Sequence, residues 1–178
     1  VACASARDAL ITPLRAASME GSYLRAHAAL VQLHLLQEAE SSYKAVVLTE
    51  DARKAAAAAK TRLPTDSSDI PLCAVKEFQF WHDRLDRTPP NVATREPILA
   101  FRRTIYKLLG AKLAGSKTWL EQAKVARSAG HYGAAQLALL EARSEIGMSL
   151  PLALEQAKLL WAGDSHQRAV LQIEEALK

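Results

Sequence analysis

Residues 119–142 read WLEQAKVARSAGHYGAAQLALLEA, and residues 153–176 read ALEQAKLLWAGDSHQRAVLQIEEA. In each stretch, three of the alanines follow one another at spacings of 12 and 7 residues, and the two triplets are offset by 34 residues. Small side chains at these positions let paired helices approach closely, and Gly130 permits a turn between them. Two consecutive helix pairs are therefore predicted. The repeated alanines are Ala123, Ala135 and Ala142 in the first stretch and Ala157, Ala169 and Ala176 in the second.

The offset is the period of tetratricopeptide-like repeats, in which two antiparallel helices form one unit. Units of this kind are predicted at about 116–146 and 150–178. Because one unit cannot bury its apolar face alone, it needs stacked neighbours. The predicted fold class is therefore all-α, an α-solenoid of antiparallel helix pairs, and we expect the solenoid to continue past Lys178.

The rest of the chain is also predicted to be helical. Alanine and leucine are abundant, while β-branched residues are sparse and never alternate over the length of a strand. The stretch 64–71, PTDSSDIP, is the clearest loop, because it combines two prolines with residues that favour turns. It separates upstream helical repeats at 1–63 from a second helical region at 72–178.

Three helices are predicted before this loop. The first covers about 4–18 and is disturbed near Pro13, because proline lacks the donor that a helix interior needs. The third contains residues 55–59 and ends before Pro64. The long second helix between them is predicted to bury one face, consisting of Leu24, Ala28, Val31, Leu35 and Ala39.

Two further helices are predicted between the loop and the repeats. One covers about 72–87. The other begins near Thr94, carries Pro97 in its first turn, runs to about Leu109 and stops at Gly110.

Composition excludes several classes of protein. The chain has 178 residues with a formal charge of +4, and no apolar run approaches the roughly 18–20 residues of a membrane span. Acidic residues break up the basic patches, including Arg102 and Arg103, which does not favour nucleic-acid binding. Cys3 and Cys73 form neither a disulfide framework nor a zinc spacing, which favours the cytosol or nucleus.

The sequence contains no recognisable arrangement of catalytic residues. His82, Asp83 and Arg84 resemble part of a kinase catalytic loop, but their order is wrong and no Gly-rich phosphate loop is present. His27 and His34 lie about 10 Å apart along a helix at 1.5 Å per residue, too far for one metal ion. We therefore predict no catalytic, cofactor-binding or metal-binding residue in this segment.

The tryptophans, Cys73 and Glu155 are expected to have structural roles. Trp81, Trp119 and Trp161 lie on apolar helix stripes, so each is expected to pack between neighbouring helices. Cys73 opens an apolar helix and is expected to be buried. Glu155, like its counterpart 34 residues earlier, is expected on a solvent face.

Three runs of sequence support a family resemblance. They are FWHDRL at 80–85, REPILAFRR at 95–103 and WLEQAKVARSAGH at 119–131, and the run AKLLWAG at 157–163 continues the match. They resemble the FAT domain of the phosphatidylinositol-3-kinase-related protein kinases, and within that family the ATR-type branch of DNA-damage checkpoint kinases. The resemblance covers nearly the whole chain.

The resemblance implies a helical-repeat arch that supports and regulates a Ser/Thr kinase domain in the nucleus. The implied partners are that kinase domain, neighbouring repeats of the same polypeptide, a second copy in a homodimer and an obligate partner subunit. ATP and Mg would bind the kinase domain of the parent protein, and neither nucleic acid nor a membrane is implied as a direct partner. The residues expected to stabilise the arch are Trp81, Glu96, Pro97, Arg102, Arg103, Trp119 and Trp161, together with the repeated alanines and Gly130.

Two other functions are compatible with the sequence. A stand-alone tetratricopeptide-like module would capture a peptide in its concave groove, although the matching inner positions are largely Ala and Leu, which favours packing. RNA or DNA binding would use Arg102, Arg103 and Lys107.

Overall fold

The computed structural model describes residues 2–177, and its regular elements in that range are all helices, beside one isolated bridge between Thr65 and Pro71. The predicted all-α class is confirmed. The first compact unit comprises residues up to Leu63 with Cys73–Thr88, and the second comprises Pro64–Leu72 with the residues from Pro89 onward. The helices are α1 Ala2–Met19, α2 Tyr23–Ala58, α3 Val75–Phe78, α4 Trp81–Asp86, α5 Val92–Leu109, α6 Lys112–Ser128, α7 Tyr132–Ile146, α8 Leu150–Ala162 and α9 His166–Ala176.

In the first unit, α1 packs against α2 after a turn at Gly21, whose φ of 66° suits glycine. Arg7 on α1 contacts Glu40 on α2 at 2.6 Å between Nη2 and Oε2. The predicted disturbance near Pro13 is wrong, because α1 continues through this exposed residue. Its packing against α2 compensates for the hydrogen bond that proline cannot donate.

Helix α2 is one element of 36 residues, so the prediction of a separate third helix is wrong. No proline or glycine interrupts it, and the alanine run from residue 55 has a high helix propensity. The predicted apolar face is also wrong, because Leu24 is 86% exposed while the buried positions include Glu38 and Ser42. The Ser42 hydroxyl donates to the Glu38 carbonyl at 2.6 Å, which lets a polar side chain be buried.

The predicted helix at 72–87 is divided into α3 and α4, which is a second correction. The break at Gln79 and Phe80 turns the chain so that Phe78 and Trp81 meet edge to face, with ring centroids 4.6 Å apart. Because Trp81 is only 2% exposed, this aromatic pair anchors α4 within the first unit.

In the second unit, the loop segment 64–72 caps the start of α6. Asp66 Oδ1 accepts hydrogen bonds from the backbone N–H groups of Ser68 and Ile70, both at 2.8 Å, which folds the segment into a turn. Asp69 Oδ2 then accepts from the Leu113 N–H at 3.3 Å. The first turn of α6 thus has its cap from a loop distant in sequence.

Helix α5 begins at Val92 because the Asn91 side chain accepts from the Thr94 N–H at 2.7 Å. Pro97 therefore lies in the second turn of α5, not in the first turn as predicted, and it is exposed. Gly110 ends the helix in the left-handed region with φ 75°, as the sequence predicts.

From α5 to α9, each helix of the second unit packs against the next, and α6 also contacts α8. The α6–α7 turn uses Gly130 at φ 79°, and the α8–α9 turn uses Asp164 at φ 58°. The Ser116 hydroxyl near the start of α6 donates to the Ala142 carbonyl near the end of α7 at 3.2 Å. The two helices therefore run antiparallel, which places their alanines face to face.

Candidate functional site

The best-packed part of the second unit is the interface between α6 and α7. Ala123 on α6 and Ala135 and Ala142 on α7 have no exposed surface. Ala123 and Ala142 belong to a core cluster with Leu139 and Leu152, against which Trp119 also packs. Since no side chain longer than a methyl group fits at such positions, the alanines set the distance between the helices.

The corresponding alanines of α8 and α9 are less uniformly enclosed. Ala157 and Ala169 are each 2% exposed, whereas Ala176 is half-buried. The second pair therefore has the same spacing but a more open end.

Trp119 is half-buried and organises a polar cluster on one side of this core. The guanidinium carbon of Arg103 lies 3.9 Å from the centre of the indole ring, a cation–π contact. The Trp119 indole also acts on Glu145 of α7, because a side-chain hydrogen bond from Trp119 lowers the pKa of that carboxyl. One aromatic side chain on α6 thus contacts both α5 and α7.

Glu145 lies in this cluster against a glycine. A Cβ atom added at Gly115 would be 2.7 Å from Glu145 Oε2, so any larger residue there would displace the carboxylate. Burial raises the pKa of Glu145, the Trp119 hydrogen bond lowers it, Glu141 raises it, and Lys107 and Lys112 lower it. The direction is upward because desolvation is the largest effect.

A cleft of about 740 Å³ opens beside this cluster. Its walls carry Arg103 and Lys107 from α5 on one side and Glu141 and Glu145 from α7 on the other, with Gly115 of α6 among the lining residues. The cleft therefore has mixed charge, with no uniform sign of potential.

The other residues of the predicted set differ widely in burial. Arg102 is 5% exposed, so it points into the second unit and does not present a basic patch with Arg103. Glu96 and Pro97 are exposed on α5. Burial lowers the pKa of Arg103, and Glu96 and Glu145 oppose this shift.

The prediction that Trp161 packs between helices is wrong. Its side chain is 55% exposed and meets His166 edge to face, with ring centroids 4.3 Å apart. Helix α8 has an apolar stripe, but among residues 2–177 no helix covers more than part of the Trp161 side chain.

A partly buried ion pair joins α6 to α8, and the sequence does not predict it. Arg127 at the end of α6 donates from Nε to Glu155 Oε1 on α8 at 2.6 Å, and the Glu155 side chain is only 3% exposed. Lys158 approaches the other oxygen at 3.6 Å. The prediction of a solvent-facing Glu155 is therefore wrong, and no local pattern could have revealed a partner 28 residues away.

In the first unit, Cys73 and His34 were also considered from the sequence. Cys73 is exposed, so the prediction of burial is wrong; its Sγ lies 3.8 Å from the Leu48 carbonyl. His34 is half-buried, and burial first and Arg84 second lower its pKa, while Glu38 raises it. Within residues 2–177, no three His, Cys, Asp or Glu side chains are grouped as metal ligands would be.

No described helix is both long enough and apolar enough to cross a bilayer. Comparison with known proteins then decides the family, because the FAT domain matches residues 2–178. The chain belongs to the FAT domain family.

Relatives of this FAT segment are large kinases. It is 36% identical over 174 residues to the serine/threonine-protein kinase ATR of Arabidopsis thaliana, covering 98% of the chain and 6% of that protein. It is 34% identical over 175 residues to ATR of Oryza sativa subsp. indica, with the same coverage. It is 30% identical over 185 residues to ATR of Drosophila melanogaster, covering 96% of the chain and 7% of that kinase. No solved structure matches the chain.

The FAT segment thus spans less than a tenth of the length of these relatives. The all-α helical pairs agree with a FAT domain, and the residues with perturbed pKa values lie in packing contacts. This arrangement holds the helices at fixed distances from one another.

Proposed function

We propose that this FAT segment is part of an ATR-like Ser/Thr protein kinase of the nuclear DNA damage checkpoint, where it supports and regulates the kinase domain. Its support is the FAT match over the chain and the identity to ATR kinases of three species. The observation that carries the mechanism is the α6–α7 interface, where Ala123, Ala135 and Ala142 are fully enclosed.

The mechanism is mechanical. A close-packed interface between helices resists continuous deformation, so a displacement of one helix moves its neighbour as a rigid body. The ion pair between Arg127 and the buried Glu155 extends this coupling from α6 to α8. A displacement of one helix pair would therefore be passed to the next pair almost undiminished.

The kinase domain, neighbouring repeats, a second copy and an obligate subunit are the partners of this proposal. Contact with neighbouring repeats is supported by an apolar cavity of about 220 Å³ on α8 and α9, lined by residues that include Leu154, Trp161, Val170 and Ile173. ATP and Mg would act in the kinase domain.

The proposal is tested in the full-length kinase with two neighbouring substitutions on α7. Ala135→Leu places a large side chain where no surface is exposed, and Ala134→Leu places the same side chain at an exposed position. We expect Ala135→Leu to lower peptide phosphorylation several-fold while the kinase domain still binds an ATP analogue. Ala134→Leu should leave activity unchanged.

Equal activity of the two variants, with limited proteolysis showing that Ala135→Leu has loosened the α6–α7 pair, would refute the supporting role. Cells carrying Ala135→Leu should also fail to arrest after replication stress. Normal arrest in those cells would refute the checkpoint assignment separately.

A further inference from the structure

The apolar cavity on α8 and α9 lies at positions that the 34-residue repeat relates to a covered surface of α6 and α7. Its lining residues include Leu154, Ala157 and Ile173. Their counterparts 34 residues earlier are Leu120, Ala123 and Leu139. Each counterpart is identical, or differs only by the exchange of one large aliphatic side chain for another. The first helix pair therefore indicates what kind of group covers this surface.

On the first pair, the covering element is helix α8. Leu152 of α8 lies in the core cluster with Ala123 and Leu139. Leu159 lies seven residues further along α8, on the same helical face, and packs against that cluster. As a result, only 6% of Leu139 is exposed. One helix with two leucines at this spacing is thus sufficient to cover the surface.

The equivalent surface of the second pair is open among residues 2–177. Ile173 is 37% exposed and Leu154 is 45% exposed. Both line the cavity of about 220 Å³, whose lining is apolar except for Lys158. Water gains few hydrogen bonds from such a lining, so apolar side chains are the groups whose burial there is favourable.

The polar edge of the surface differs between the two pairs. On the first pair, Arg127 donates to Glu155 of the covering helix. The residue 34 positions after Arg127 is Trp161, whose side chain is more than half exposed. An indole forms no ion pair, so a helix that covers the second pair does not need a carboxylate at the position of Glu155. We expect an apolar junction where the first junction is ionic.

We propose that the cavity receives the helix that follows α9 in the longer polypeptide, and that this helix carries two large aliphatic residues with the spacing of Leu152 and Leu159. The first of the two packs against Ala157 and Ile173. This contact repeats the one that Leu152 makes on the first pair. It rests on the proposed function, in which neighbouring repeats are partners, and specifies the residues and the register of that partnership.

Photo-cross-linking in the full-length kinase tests which group occupies the cavity. A diazirine analogue of leucine replaces Ile173, and in a control it replaces Leu171, which is 57% exposed and does not line the cavity. We expect cross-links from position 173, but not from position 171, to the helix that follows α9 in the same chain. Cross-links from position 173 to a second copy, to another subunit or to no other helix would overturn the proposal.

Hydrogen exchange measures how much the contact stabilises the docked helix. Ile173→Asp places a charge in the apolar cavity, and we expect amide exchange in the helix after α9 to become about tenfold faster. Leu171→Asp places the same charge outside the cavity and should leave that exchange unchanged. Ile173→Ala removes apolar contact without adding a charge, so it remains informative if Ile173→Asp unfolds α9. Wild-type exchange in Ile173→Ala would contradict docking at this residue.

The outcome is separable from that of the proposed function. Cross-links and exchange rates report where a helix lies, whereas the Ala135→Leu variant is assayed by phosphorylation. The expected cross-links together with full activity of Ala135→Leu would refute the support of the kinase domain alone. Loss of activity in Ala135→Leu without the expected cross-links would refute the docking alone.

Discussion

The helix pairs α6–α7 and α8–α9 share one alanine spacing but differ in enclosure. Ala142 has no exposed surface, while its counterpart Ala176 is half-buried. Trp119 packs on a core cluster, while Trp161 is 55% exposed. The comparison teaches that the spacing of small residues determines how two helices pair, whereas enclosure depends on what lies on the outer faces of the pair.

The largest expected effect concerns the ion pair that joins the two helix pairs. Arg127→Met leaves the Glu155 carboxylate buried, with Lys158 Nζ 3.6 Å from its other oxygen, and we expect a loss of about 3 kcal/mol in the free energy of unfolding. Lys124→Met breaks the half-exposed pair with Glu121 and should cost less than about 1 kcal/mol. Urea unfolding followed by circular dichroism measures both. Equal losses would show that burial of Glu155 does not increase the contribution of its ion pair to the free energy of unfolding.

The second prediction compares equivalent alanines. Ala142→Leu should destabilise the chain by about 1–3 kcal/mol, because the α6–α7 interface has no room for the added carbons. Ala176→Leu, at the more open position, should change stability by less than about 0.5 kcal/mol. Thermal unfolding of the two variants decides the point. If Ala176→Leu is as damaging as Ala142→Leu, the two pairs are enclosed alike.

The smallest effect is the difference between two tryptophans. Trp119→Ala should cost about 2 kcal/mol, less than a fully buried tryptophan, because the ring is half-buried. Trp161→Ala should cost about 1 kcal/mol or less, since the ring is more than half exposed. Denaturant midpoints of the two variants test this order. A larger loss for Trp161 would mean that its contact with His166 matters more than burial does.

The parts of the fold that sequence analysis predicted correctly depend on neighbours along the chain. The repeated alanines and the stop at Gly110 follow from helical periodicity and from the conformational freedom of glycine. The errors depend on distant contacts. Helix α2 buries Glu38 and Ser42, while Leu24 of the predicted apolar face is exposed; a hydrogen bond such as that of the Ser42 hydroxyl permits polar burial.

The candidate site shows the same division. Trp119 and Arg103 were singled out from the sequence, yet Glu145 and Gly115 were not, because their importance comes from a contact between α7 and α6. Glu155 was misplaced for a related reason, since its partner Arg127 lies on another helix. Charged residues on an amphipathic helix look alike in sequence whether water or an opposite charge faces them.

The cap on α6 has a consequence for the way this part of the chain becomes ordered. Asp69 reaches the Leu113 N–H from 44 residues upstream, so the start of α6 is completed by a long-range contact, which forms late compared with local helix turns. A peptide confined to α6 and α7 would begin with a frayed end. The smallest fragment able to reproduce this hairpin must therefore start at or before Pro64, well ahead of the helices themselves.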